Sequence, residues 1–183
     1  MPKLLVLVSG LPCSGKTTVA QIIARSFNAP ILSMGDVVRE EASKLGEDPG
    51  KIATLLRLRE GRRAIAKRLV DKLRGVDSEV VVIEGVRGPD EVSLLKEESG
   101  CDVFLVYVVA SRPVREERFR RRARQDDVGL TTVNVRDLRE SLYGILDLLM
   151  IADSVVVNDY ENVQELEEHV NSKVVPRIRE RLR

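Results

Sequence analysis

The residues with the plainest chemical meaning lie near the start of the chain: Gly10, Leu11, Pro12, Cys13, Ser14, Gly15, Lys16 and Thr17, followed by Thr18. They spell G-x-x-x-x-G-K-[ST], which average residue usage would place by chance in on the order of one per cent of chains this long. In such a loop the backbone N–H groups converge on phosphate oxygens, and the dipole of a following helix adds positive potential. Gly10 and Gly15 permit the backbone angles and the close approach. Lys16 reaches the β- and γ-phosphates of a nucleoside triphosphate, and the Thr17 hydroxyl ligates magnesium. Cys13 reads as the occupant of a variable position. The chemistry implied is the holding of ATP with Mg²⁺ for phosphoryl transfer, which needs positioning and charge and no side-chain nucleophile.

A phosphate loop requires a strand before it and a helix after it. The apolar run 4–8 supplies the strand, and 19–26 continues the helix that the loop opens. Further on, 31–32, 80–83, 103–109 and 154–157 read as strands, with 103–109 central and 80–83 a continuous β-branched run in the manner of a strand covered on both faces. Helical spacing occupies 36–45, 52–73, 90–98, 114–122, 135–151 and 163 onward, with a break near Asp48-Pro49-Gly50 and loop character over 123–132. Strand and helix alternating in this way imply right-handed crossovers and a parallel α/β sheet, helices on both faces.

The chain has 183 residues, 43% hydrophobic and 32% charged, the composition of a globular protein. Thirty basic residues against 29 acidic leave a net charge of +1, so the overall balance makes no electrostatic case for nucleic acid or a membrane surface. No apolar run approaches the roughly 20 residues that span a bilayer. The opening apolar run leads into Gly-Lys-Thr-Thr, not into a cleavage site. A cytoplasmic protein is expected. Cys13 and Cys101 are its two cysteines and His169 its one histidine, with no zinc-ligand spacing among them. His169 sits far from every motif. Arg greatly outnumbers Lys, a composition that leans towards thermophilic proteins.

Beyond the loop, the sequence resembles the adenylate-kinase and nucleoside-monophosphate-kinase group. Ser33-Met34-Gly35-Asp36-Val37-Val38-Arg39 is similar to the "STGDxxR" segment of adenylate kinases, with Met34 in place of Thr. The resemblance implies that Arg39 holds the acceptor phosphate and that Asp36 organises magnesium-bound water. Val81-Val82-Ile83-Glu84-Gly85-Val86-Arg87 resembles the family's strand ending in "DGxxR", with Glu84 in place of Asp. It implies that Glu84 meets magnesium through water and that Arg87 serves both acceptor binding and catalysis. Arg118, Arg121, Arg122 and Arg124, leading into Gln125-Asp126-Asp127, are similar to the lid of short adenylate kinases. There Arg118 would bind ATP, Arg122 and Arg124 would close on the transferring phosphate, and Arg136 or Arg139 would be the further arginine on the next helix.

Ala152 to Asn158 looks like the "ADxVIxN" strand of dephospho-coenzyme A kinases, which share the fold. Over nearly its full length the chain resembles an archaeal group described as adenylate-kinase-related or dephospho-CoA-kinase-like. That resemblance implies a P-loop NTPase fold with five parallel strands ordered 2-3-1-4-5. It further implies a single kinase domain over 1–183, with a helical acceptor-binding insert at 36–75 and a short lid at 118–133. The partner would be a small nucleotide-like acceptor, dephospho-CoA or a nucleoside monophosphate, and the protein a monomer or homodimer. A rival reading is a regulatory or assembly ATPase, RNA-associated through the basic segments 118–124 and 177–183.

Overall fold

The structure is a computed structural model that describes residues 2–121 and 132–183. Its centre is β1 (Leu4–Ser9), fully buried, flanked by β3 (Val80–Glu84) and β4 (Asp102–Val109), with β2 (Ile31–Ser33) and β5 (Ser154–Val157) at the edges. The sheet is five-stranded, ordered β2-β3-β1-β4-β5, and every pairing is parallel. The expected order is therefore the observed one.

Because strand side chains alternate, the continuous apolar runs feed two cores. Leu5, Leu7, Val81, Ile83, Leu105 and Tyr107 face one side. There they meet α2 (Met34–Leu45), α4 (Ala64–Leu73) and α5 (Pro89–Ser99), together with Ile145 and with Leu148 of α8 (Asp147–Met150). Leu4, Val6, Val8, Val82, Phe104, Val106 and Val156 face the other side. That side is covered by α1 (Lys16–Phe27), α9 (Val163–His169) and α10 (Val175–Leu182), the last two joined by a π-helical turn at Val170–Val174. Removing each such side chain from water is worth about 1.5–3 kcal/mol.

Two expected helices are broken. The span 52–73 is α3 (Pro49–Glu60) plus α4, parted at Gly61, whose φ of +88° closes the first helix. Asp48 caps α3 by accepting from the Lys51 N–H at 2.8 Å, so the helix begins at the Pro-Gly pair expected to interrupt one. The span 135–151 is α7 (Val133–Leu142), a turn through Gly144 and the single turn of α8. The basic helix α6 is described over Arg112–Arg121. Within 36–75, α4 belongs to the core, with Ile65, Leu69 and Leu73 fully buried, so α2 and α3 are the helices left to border a ligand. Among the described residues no helix is long and apolar enough to cross a membrane.

Candidate active site

Parallel strands deliver their functional residues at their carboxyl ends, and a crevice forms where the strand order reverses, here beside β1. The loop after β1 turns directly into α1, and Gly15 sits at the helix N-terminus with φ +92°. A side chain at Gly10 would strike the Val108 carbonyl and the Ser14 hydroxyl; one at Gly15 would strike the Asn158 amide. Cys13 also holds a left-handed conformation, φ +64°, as one of two non-glycine residues with positive φ among those described. Helix α1 has no acidic residue in its first turn, which leaves its positive end unopposed.

The loop's outward carbonyls are held from behind. Asn158 donates to the Ser14 carbonyl at 2.8 Å, and Arg118 donates to the same oxygen at 3.3 Å and to Asn158 Oδ1 at 3.4 Å. Arg115, 6% exposed, donates to the Pro12 carbonyl at 3.3 Å and pairs with Asp137 at 2.8 Å. The Leu11 carbonyl accepts from Lys16 Nζ at 3.4 Å. Burial lowers the Arg118 pKa, partly countered by Asp159 and Cys13.

In front of the loop lies a cleft of about 240 Å³ lined by Cys13, Gly15, Lys16, Thr17, Thr18, Ser33, Gly35, Arg39, Glu84, Gly85, Arg87, Arg118, Arg136 and Glu140. Beside it is a smaller cavity of about 40 Å³ between α2, α3 and α7. Arg39, Arg87, Arg136 and Glu140 line both; Arg139, Tyr143, Pro49 and Ala53 belong to the smaller one. Of the loop residues named from the sequence, Gly10, Leu11, Pro12 and Ser14 shape the loop from behind, whereas Cys13 and residues 15–18 face the cleft. Arg136 and Arg139 both line the smaller cavity.

Arg87 is held from several sides, its Nη1 donating to the Gly85 carbonyl at 3.2 Å. Its backbone N–H donates to Glu91 at 2.7 Å, and its Nε lies 3.4 Å from Glu140. Burial opposes its charge, but Glu140 and Glu91 raise its pKa. Glu91 in turn pairs with Arg57 of α3 at 2.6 Å, both side chains buried, and the Arg57 guanidinium stacks 4.3 Å above the Tyr143 ring. Arg39 stands in contrast. It is half exposed and pairs with Asp36 at 2.5 Å.

Asp36 does not join the cleft. Its carboxylate is 60% exposed and turned onto Arg39, and its backbone N–H is capped by Ser33 at 3.3 Å. The three-residue step on α2 places Asp36 beside Arg39. Arg122 and Arg124 lie outside the described residues, as do Gln125, Asp126, Asp127 and most of the 118–133 segment; Arg118 is its described member in the cleft.

A magnesium ion fits Thr17 and Glu84. Glu84 stands at the end of β3 inside the cleft, and among the described residues its buried Oε2 has no hydrogen-bond partner, as suits a carboxylate that takes a metal-bound water. No group of three or more ligating side chains occurs among the described residues, so phosphate oxygens would complete such a site. Bound there, the ion would neutralise the β- and γ-oxygens.

Glu140, Arg115, Asp137 and Glu91 were not among the residues marked by the sequence. Each is a charged residue in a helix, the commonest kind of solvated position. The one local signal is that Glu140 follows Arg136 by four residues and so shares its helix face.

The strand order, the loop and the two adjoining clefts define a P-loop protein of kinase-like fold. Residues 9–133 match the family described as AAA domain. More particularly, the chain belongs to the UPF0200 family of archaeal proteins. It is 45% identical over 173 residues to a UPF0200 protein of Pyrobaculum aerophilum, covering 94% of this chain and 97% of the relative. It is 39% identical over 163 residues to one of Hyperthermus butylicus, covering 86% of each. Among solved structures it resembles a candidate kinase of Chloroflexus aurantiacus, at TM-score 0.61 and 18% identity over 94% of this chain and 96% of that one. A sugar kinase of Janibacter gives TM-score 0.59 and 16% identity over 93% and 94%. At such identities the likeness is one of fold.

Proposed function

We propose that the protein is an ATP-dependent phosphotransferase that moves the γ-phosphoryl group to a small, anionic, nucleotide-like acceptor, in the range from nucleoside monophosphates to dephospho-CoA. The observation that carries this reading is that the two clefts adjoin and share Arg39, Arg87, Arg136 and Glu140 as walls. A lysine and a metal-suited pair line the donor side, and Arg39, Arg87, Arg136 and Arg139 surround the space beyond it. A protein that only hydrolysed ATP as a switch would have no use for that second arginine set. The basic surface also offers less free charge to RNA than its sequence suggests. Arg112, Arg120 and Arg121 pair with Glu116 and Glu117, and Arg181 bridges Asp102 and Asp153.

The test is ADP release with AMP, CMP, UMP, GMP and dephospho-CoA, in the native chain and in Lys16→Ala. Acceptor-dependent ADP production that disappears in a folded Lys16→Ala is expected. Hydrolysis at one rate whatever acceptor is present would refute the reading.

A further inference from the structure

Helix α7 is turned inside out. Val135, Leu138 and Leu142 are 53%, 67% and 69% exposed, whereas Arg136 and Glu140 are 6% and 2% exposed. An ordinary surface helix does the reverse. Burying a carboxylate is costly unless it is fully paired, and the pairing of Glu140 is incomplete. Its Oε1 lies 3.4 Å from Arg87 Nε, while its Oε2 accepts no hydrogen bond among the described residues. Burial by itself would push this carboxyl up, but Arg87, Lys16, Arg136 and Arg139 hold it below the ordinary carboxylate range. These four cations favour its ionised form, and it lines both clefts, at the joint between donor and acceptor sides.

A carboxylate in that position treats two kinds of acceptor oppositely. The oxygen of an acceptor phosphate brings no hydrogen to donate and is repelled. A hydroxyl brings the hydrogen that the carboxylate lacks, and it must lose that proton when it is phosphorylated. We propose that Glu140 is a catalytic residue that takes the proton of an acceptor hydroxyl, so that the acceptor is an anionic alcohol and the product a phosphate monoester. The proposal rests on the phosphotransferase reading above and narrows its acceptor. As the hydroxyl oxygen bonds to the γ-phosphorus, the bond from that phosphorus to the β–γ bridging oxygen breaks. The departing electron pair stays with ADP, and the hydroxyl proton passes to Glu140. The arginines then serve the anionic group of the alcohol and the charge on the transferring phosphoryl.

The experiment incubates the native protein with ATP and each of five probes: dephospho-CoA, glycerol 3-phosphate and gluconate as anionic alcohols, AMP and CMP as phosphate acceptors. Phosphorus NMR of the product reads the linkage formed. A monoester is expected. Glu140→Gln should then lower kcat by about 10²- to 10⁴-fold, the usual range for general acid–base catalysis, with KM and ATP affinity changed only a few-fold. A phosphoanhydride product overturns the proposal and leaves the phosphotransferase reading standing, as does a Glu140→Gln variant that turns over an alcohol at the native kcat. Should that variant fail to fold, the linkage made by the native chain decides alone. ADP release that ignores every probe would remove the broader reading as well.

Discussion

Arg39 and Arg87 border the same space but are held differently, and their substitution should read differently. Arg39 is exposed and its partner Asp36 is solvated, so Arg39→Ala should leave the thermal midpoint close to native. Losing a charged hydrogen bond to an anion costs about 1.5–3 kcal/mol, which lowers acceptor kcat/KM tenfold to hundredfold. Arg87→Ala should show that loss and a drop in stability too, since it strands Glu140 in the interior. Acceptor titrations and calorimetry on the two variants separate these effects. If ATP affinity collapsed instead, both arginines would belong to the donor side.

At the scale of elements, the loop depends on β5 and α6 as much as on its own glycines. Asn158→Ala removes the amide that holds the Ser14 carbonyl at 2.8 Å. A lost hydrogen bond of this kind costs about 1 kcal/mol, so ATP affinity should weaken by several-fold; calorimetric titration with ATP checks it, and native affinity would show the brace to be idle. The bracket between α3 and α5 is a buried ion pair. Arg57→Met should destabilise by about 3–5 kcal/mol because it leaves the buried Glu91 without its guanidinium partner, whereas the double variant with Glu91→Met should recover much of that loss in urea unfolding.

These elements also mark how far the sequence could be read. Val81, Val82 and Ile83 announced a central strand because burial on both faces demands an unbroken apolar run, and the phosphate loop was legible because its spacing has one use. The division of 52–73 was missed because Gly61 falls inside a good helical pattern, where a single glycine costs only about 1 kcal/mol and forces no break. Asp36 was assigned to metal-bound water by resemblance; in the structure its carboxylate pairs with Arg39, a contact that the three-residue step on α2 makes local. Glu140 was hidden for a deeper reason. On α7 the usual rule of burial is inverted, so apolar spacing pointed at Val135, Leu138 and Leu142, the face that looks outward.

For the whole molecule, the charges buried around the site set the response to pH. The Glu140 carboxyl is held low in the folded state, so its contribution is complete above the unfolded value of about 4.3 and is lost as pH falls through the folded one. Urea midpoints from about pH 6 to about pH 3 should fall less steeply in Glu140→Gln. Some slope will remain, because hydrogen bonds from Lys44, Arg68 and Arg112 hold Glu41, Glu60 and Glu116 low as well. At the alkaline end, burial pushes the Tyr107 hydroxyl up to about 12. The folded protein keeps that proton after the unfolded chain releases it near 10, so stability declines as pH rises past about 10. Tyr107→Phe should remove this decline; an unchanged alkaline limb would assign it elsewhere.

The braces behind the loop have a consequence for how the protein is made. Pro12 waits for Arg115, 103 residues later, and Ser14 for Arg118 and Asn158, 104 and 144 residues later. On the ribosome, β1 and α1 emerge first, yet the loop between them cannot take its braced shape until β5 has been synthesised and has paired with β4. A nascent chain stalled before Asn158 would carry the whole G-x-x-x-x-G-K-T signature and still lack the amide that braces it.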